Sequence, residues 1–132
     1  MRIIIENNNQ ILLVRHTYIP GNKWMLPGGG VNKFEYYEDA IKRELKEELN
    51  IIIENIELLG VYQLFKESKN DSIVLFLSRD LVDESKIKID AKEIIEYKFH
   101  SLNNLPKDIA GGHLKRIIEY RNKENNLIGK WE

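Results

Sequence analysis

Residues 28–51 read GGGVNKFEYYEDAIKRELKEELNI, and this stretch decides the fold of the chain. It opens with three glycines, which leave the backbone free of Cβ hindrance and therefore indicate a loop. Residues 36–49 contain no Gly or Pro and are rich in helix formers, and Asn50 tolerates the left-handed conformation of a helix C-cap. The stretch predicts a glycine-rich loop that leads directly into a helix over residues 37–49.

The predicted helix carries glutamates that a solvated surface does not explain. With about 100° between successive residues, Ile41 and Leu45 define an apolar stripe, and Glu48 projects from within it. An ionised carboxylate buried without a partner is costly. Glu47 and Glu48 lie three and four positions after Glu44, so the three like charges also repel one another. We therefore expect a cation among these side chains.

A metal ion is the cation that this pattern favours. Arg43 falls on the far side of the helical wheel, so we expect that it does not neutralise all three glutamates. A hard divalent cation accepts clustered carboxylate oxygens, which favours Mg²⁺, or Mn²⁺, bound by Glu44, Glu47 and Glu48. The alternative is a solvated acidic face on an ordinary helix, and the position of Glu48 argues against it.

The same segment resembles the signature of the Nudix (MutT-like) hydrolase family. That pattern is Gly, five residues, Glu, seven residues, Arg-Glu, an aliphatic residue, any residue, Glu-Glu, any residue, Gly and an aliphatic residue. The residues at its fixed positions here are Gly29, Glu35, Arg43, Glu44, Glu47 and Glu48. Asn50 replaces the last glycine, and Phe34 stands where a glycine commonly precedes the glutamate, so we expect a differently shaped loop.

The resemblance implies roles for individual residues. The implied metal ligands are Glu44, Glu47, Glu48, Glu93 and the carbonyl of Gly29. Glu35 would pair with Arg43 and brace the loop against the helix. Glu93 would complete the metal shell or act as general base, and its alternative is an ordinary surface glutamate. The choice of base between Glu44 and Glu93 stays open.

The resemblance also implies an activity, which is Mg²⁺-dependent cleavage of the pyrophosphate linkage in a nucleoside diphosphate joined to another moiety. Candidate substrate-binding residues near the glycine loop are Arg15, His16, Tyr18, Lys23, Trp24 and Gly28. Trp24 as a core residue and Arg15 as a strand-end residue remain alternatives. His100 and His113 are interpreted as structural or surface residues, and residues 111–116 as a loop-to-helix junction rather than an anion site.

A catalytically silent Nudix-fold module that binds a nucleotide or a protein is the alternative function. The intact acidic positions argue against it. No nucleic-acid partner is expected, because 20 basic and 21 acidic residues give a net charge of −1, although an RNA 5′ end stays open as a substrate. A homodimer also stays open, since dimers are common in the family that this chain resembles.

The rest of the chain predicts an α/β fold, a Nudix-type α/β/α sandwich with a mixed sheet. Short β-branched runs predict strands over residues 3–5, 11–14, 58–65, 73–78 and 96–102, with a polar loop over residues 66–71. Helical spacing predicts a second helix over residues 112–123.

Length and composition favour one intracellular domain. The 132 residues, 42% of them hydrophobic, are expected to form a single domain over residues 1–132. The absence of cysteine excludes a disulfide framework and a thiolate nucleophile and is typical of the cytoplasm. No stretch approaches the roughly 20 apolar residues of a membrane span, so no membrane partner is expected.

Overall fold

A computed structural model describes residues 1–66, 68–124 and 127–132 of the chain. The strands and helices are β1 (Arg2–Asn7), β2 (Gln10–His16), α1 (Tyr37–Leu49), β3 (Glu57–Lys66), β4 (Lys69–Ser78), β5 (Ile94–Ser101), α2 (Gly111–Arg121) and β6 (Ile128–Lys130). A short 3-10 turn, Glu84–Lys86, precedes β5.

The strands form one mixed sheet in the order β5-β2-β1-β4-β3-β6. β1 and β2 form an antiparallel hairpin, and the turn between them places Asn8 and Asn9 in the left-handed region, which asparagine adopts at little cost. β3 and β4 form a second hairpin. Parallel pairing of β1 with β4 joins the two hairpins at the centre of the sheet, with Arg2 opposite Leu75.

Successive side chains of β1 point to opposite faces of the sheet, so the hydrophobic core has one part on each face. Ile3 and Ile5 pack with Ile41 of α1 on one face. Ile4 packs with Ile117 of α2 on the other. Because each face is covered by one helix, the molecule is the predicted α/β/α sandwich, and both helices were predicted to within two residues of their ends.

The structure corrects the sequence analysis at the second hairpin. Residues 69–71 belong to β4 rather than to a loop, because they continue the ladder with β3. Glu67 of the predicted loop lies outside the described residues. β6 was not predicted, since it has three residues and depends on pairing with β3. Within the described residues, no helix is long and apolar enough to cross a membrane.

Candidate active site

A cleft of about 310 Å³ is lined by every residue that the resemblance implied as a metal ligand. The residues that line it are Tyr18, Gly29, Gly30, Glu44, Glu47, Glu48, Asp90 and Glu93. They come from the segment after β2, the glycine loop, α1 and the segment before β5. The fold therefore concentrates five carboxylates in one small cleft, and Asp90 is the one that the sequence analysis missed.

Glu48 is the buried member of this cluster, with 7% of its surface exposed. Burial raises the pKa of Glu48, and the hydrogen bond and negative charge of Glu44 raise it further, followed by the charge of Glu93. The charge of Arg2 acts in the opposite direction. Glu48 thus occupies a position where its ionised form needs a nearby positive charge, as its place in the apolar stripe predicted.

Gly29 lets the loop and the helix approach each other closely. A β-carbon added there would lie 2.5 Å from the carboxyl carbon of Glu44 and 2.8 Å from both carboxylate oxygens. The carbonyl of Gly29 accepts a hydrogen bond of 3.0 Å from the Met1 nitrogen. The glycine is therefore required for space, because the Glu44 carboxylate lies directly against its backbone.

Arg43 holds the glycine loop on the helix. Its Nε and Nη2 donate to Glu35 at 2.8 and 2.9 Å, and its Nη2 also donates to the Gly30 carbonyl at 3.0 Å. This bidentate pair confirms the expected contact between Glu35 and Arg43. The expected position of Arg43 away from the carboxylates is wrong, because its Nη1 donates to Glu44 at 3.1 Å and to Glu47 at 3.2 Å. The expectation that Arg43 does not neutralise all three glutamates agrees with its ion pairs among the described residues, which do not include Glu48.

The contacts of Arg43 also bear on how a metal ion would fit. In the part of the chain that the structure describes, no three acidic or histidine side chains are already arranged as ligands of one ion. Arg43 draws Glu44 and Glu47 to itself, whereas Glu48 is not among its partners. The carboxylates of the cleft nonetheless offer several hard oxygen donors, which are the ligands that a divalent cation such as Mg²⁺ takes. By the chemistry of their donors, Glu44, Glu47 and Glu48 fit such an ion.

Asp90 and Glu93 are tied to the helix through the backbone. The Asp90 N–H donates to the Glu48 carbonyl at 2.8 Å, and the Glu93 N–H donates to the Asp90 carbonyl at 3.0 Å. The Glu93 carbonyl accepts from the Thr17 N–H at 3.0 Å. These bonds hold the segment before β5 against both α1 and the end of β2, which is why two distant acidic residues join the cleft.

Two predicted substrate contacts are wrong because the side chains are buried. His16 is fully buried and lies 3.4 Å from an Arg2 nitrogen. Burial, and next the charge of Arg2, lowers the pKa of His16 to about 4. Trp24 is 5% exposed and packs edge-on against His100. Both residues belong to the core, which was the stated alternative for Trp24.

The other predicted contacts divide between the cleft and the surface. Tyr18 lines the cleft and is half exposed. Arg15 stacks on Trp24 at 4.3 Å and pairs with Glu96 at 2.8 Å, which matches the alternative of a strand-end arginine. Lys23 is exposed and does not line the described cleft. Gly28 packs against Met1 and the start of β1, where an added β-carbon would clash with the Met1 carbonyl and the Arg2 backbone.

Arg2 is the basic residue that the sequence analysis missed. Its Nη1 donates to the Leu26 carbonyl at 3.1 Å, and its side chain hydrogen-bonds Tyr18. Burial lowers the pKa of this arginine, whereas the charges of Glu48 and Glu44 raise it. A signal for Arg2 was available in the sequence. Residues two apart on a strand point to the same face, so Arg2 lies on the same face of β1 as the buried Ile4.

Comparison with known proteins identifies the family of this chain. The family model of the NUDIX domain matches residues 1–120. An ADP-ribose pyrophosphatase from Methanocaldococcus jannaschii is 38% identical over 125 residues, 92% of this chain and 72% of the relative. An RNA pyrophosphohydrolase from Pelagibacter ubique is 30% identical over 145 residues, 96% of this chain and 89% of the relative.

The fold agrees as well. The crystal structure of a MutT NUDIX hydrolase from Burkholderia pseudomallei superposes with a TM-score of 0.78, at 23% identity, over 89% of this chain and 92% of that chain. The chain belongs to the Nudix hydrolase family. It is a MutT-like pyrophosphatase, an enzyme that acts on phosphoanhydride bonds.

Proposed function

We propose that this enzyme uses Mg²⁺, with Mn²⁺ as a substitute, to hydrolyse the pyrophosphate linkage of a nucleoside diphosphate joined to another moiety. The observation that carries the proposal is the burial of Glu48 beside Glu44, in a cleft that also contains Glu93 and Asp90. Such a cluster would repel a phosphate by itself. A divalent cation between carboxylates and phosphate reverses that repulsion.

The residues divide into ligands and positioning groups. We assign Glu44, Glu47 and Glu48 as metal ligands, with Glu93 and the Gly29 carbonyl as further ones. When bound, Mg²⁺ would neutralise phosphate charge and lower the pKa of a coordinated water. Glu44 or Glu93 takes the proton of the attacking water.

Glu35 and Arg43 keep the loop at the distance from α1 that the structure shows. They act through the loop and the carboxylates, and we assign them a positioning role. Arg43 also orients Glu44 and Glu47, since its Nη1 donates to both carboxylates.

ADP-ribose is the first substrate that we propose, because the relative at 38% identity is an ADP-ribose pyrophosphatase. An RNA 5′ end is the second, because a relative at 30% identity is an RNA pyrophosphohydrolase. Tyr18 is half exposed in the cleft wall, so we propose that its side chain contacts the bound substrate there.

The test is hydrolysis of a substrate panel in Mg²⁺, in Mn²⁺ and in EDTA, with products separated by chromatography. The panel contains ADP-ribose, nucleoside triphosphates, nucleotide sugars, dinucleoside polyphosphates and a 5′-triphosphorylated RNA. The variant is Glu48→Gln, which keeps the size of the side chain but removes its charge. The matched control is Glu38→Gln, on the same helix but outside the acidic cleft.

We expect cleavage of at least one compound in Mg²⁺ and none in EDTA. Glu48→Gln should lower the rate of hydrolysis at least about 100-fold, the effect expected when a ligand of a catalytic metal is lost. Glu38→Gln should hydrolyse the substrate at the wild-type rate. Equal rates with Mg²⁺ and EDTA, or an unaffected Glu48→Gln enzyme, would disprove the metal-dependent mechanism.

We further propose that residues 1–132 act as one domain in the cytoplasm, with a homodimer as the open alternative to a monomer in solution. Calorimetry tests the single domain. One cooperative unfolding transition is expected, and two transitions would contradict it.

Light scattering coupled to size exclusion tests the oligomeric state. A mass near 15.6 kDa would indicate a monomer and exclude the homodimer.

A further inference from the structure

A larger cavity, of about 570 Å³, adjoins the acidic cleft. Gly29 and Gly30 line both spaces, so the glycine loop is their common wall. Its lining is mixed, with apolar side chains at Leu64, Ile73 and Trp131 beside charged ones such as Lys66 and Asp71, and its volume is in the range of small-molecule sites. A substrate whose phosphates lie over the carboxylates can therefore extend across the loop into this second space.

Arg2 lies where the two spaces meet. It lines the cavity, and its side chain hydrogen-bonds Tyr18, which lines the cleft. Its charge interacts with those of Glu48 and Glu44 across the junction. The fold thus places one guanidinium between the acidic residues and the start of the cavity.

The partners of Arg2 leave its charge without a contacting anion. They are the Leu26 carbonyl, the ring of His16 and the Tyr18 side chain, all of them neutral groups. Among the described residues, none forms an ion pair with this guanidinium. A largely buried guanidinium without an anion is costly, and a phosphate matches its fork of N–H donors.

We propose that Arg2 binds a phosphate oxygen of the substrate, on the cavity side of the metal site, and that the remainder of that nucleotide occupies the cavity. This inference rests on the proposed function and names a specificity-determining residue for it. Arg2 selects for substrates that carry a phosphate next to a nucleoside, because it lies between the carboxylates of the cleft and the larger cavity.

The experiment measures binding of AMP and of adenosine by calorimetry in EDTA, so that neither metal nor hydrolysis contributes. The variants are Arg2→Met, which removes the charge, and Arg2→Lys, which keeps it. Arg79→Met is the matched control, because Arg79 pairs with Glu57 in another part of the molecule. Melting temperatures show whether each variant is folded.

We expect Arg2→Met to weaken AMP binding at least about tenfold, the effect of losing one charge-assisted hydrogen bond, and to leave adenosine binding within about twofold. Arg2→Lys should recover part of the AMP affinity, and Arg79→Met should match the wild type. Arg2→Gln retains a donor for the Leu26 carbonyl and repeats the test if Arg2→Met does not fold.

Unchanged AMP affinity in the Arg2 variants, equal losses for AMP and adenosine, or no binding of AMP by the wild type would overturn the inference. The hydrolysis panel separates this failure from that of the proposed function. Metal-dependent hydrolysis together with unchanged AMP binding in the Arg2 variants would refute the role of Arg2 and leave the proposed function intact. Arg2-dependent AMP binding without hydrolysis of any compound in the panel would refute the proposed function and leave the role of Arg2 in binding intact.

Discussion

The backbone of Gly29 and the carboxylate of Glu44 touch so closely that an added β-carbon would lie 2.5 Å from the Glu44 carboxyl carbon. Gly29→Ala must therefore displace Glu44 or the loop. We predict a fall in hydrolysis of about 10- to 100-fold, the usual cost of misplacing a group that orients a metal ligand. Steady-state kinetics measures it, and circular dichroism should show an intact fold.

Gly30→Ala is the control for this change. A β-carbon at Gly30 has no atom within 4 Å, and its backbone does not require glycine. The rate should change by less than about threefold, as for substitutions in open space. Equal losses in the two variants would show that the loop tolerates no side chain anywhere, and that contact with Glu44 is not the cause.

The Glu35–Arg43 pair is predicted to act on the reaction through the loop. The hydrogen bond from Arg43 lowers the pKa of Glu35, so the pair is ionic at neutral pH. Glu35→Gln should lower the rate about tenfold by loosening the loop, as loss of a group supporting a metal site does. In a double-mutant cycle with Arg43→Lys, the two losses should not add, because both break the same contact. Additive losses would contradict this coupling.

The stability of the fold should decrease in weak acid because of His113. Its Nδ1 accepts the Leu26 N–H at 3.1 Å, and burial lowers its pKa well below 6.5. The unfolded chain takes up a proton below pH 6.5 whereas the folded chain does not. Stability is therefore complete above that pH and falls by at most about 1.4 kcal/mol per pH unit below it.

His113→Asn tests this dependence, because asparagine offers an oxygen near the position of Nδ1 but does not titrate. Urea unfolding at pH 7 and pH 5.5 measures the free energy of unfolding of both proteins. The wild type should lose more stability between the two pH values than the variant. Parallel losses would show that other groups cause the acid sensitivity.

Asp80 is predicted to stabilise the connection between α1 and β3. Its carboxylate accepts the Glu54 and Asn55 N–H groups at 2.8 and 2.9 Å, and the latter bond contributes most to lowering the pKa of Asp80. Asp80→Ala should cost about 1 kcal/mol at pH 7. This stability is present above the unfolded pKa near 4 and is lost as pH falls through the lower folded value. Asp80→Asn should lose less stability than Asp80→Ala, because its amide oxygen can still accept a hydrogen bond. Urea unfolding measures the free energy of unfolding, and equal values for Asp80→Ala and the wild type would refute this stabilising role.

The sequence was most informative where periodicity alone determines position. The burial of Glu48 follows from its place in the apolar stripe, and the left-handed C-cap follows from the identity of Asn50. The error at Arg43 arose because a helical wheel gives the direction of the Cβ but not the reach of a long side chain. Arginine can turn back to its own neighbours, as it does to Glu44.

Other parts of the site depend on topology, which local patterns do not contain. Asp90 and Glu93 reach the cleft because β5 pairs with β2 and the preceding segment bonds to Glu48. His16 was assigned to the substrate because it follows a strand, and Trp24 because it precedes the glycine loop, but both pack into the core. Burial of this kind is decided by which strands are neighbours, and the sequence does not state that order.

The parallel pairing of β1 with β4 has a consequence for how the enzyme assembles. Each hairpin contains contacts that are local in sequence, whereas Arg2 and Leu75 become neighbours only when the two hairpins dock. Closing so long a loop is slower than forming a hairpin. The acidic helix lies between the hairpins in the chain, so a refolding enzyme should regain its activity in the slow phase, after most of its secondary structure has formed.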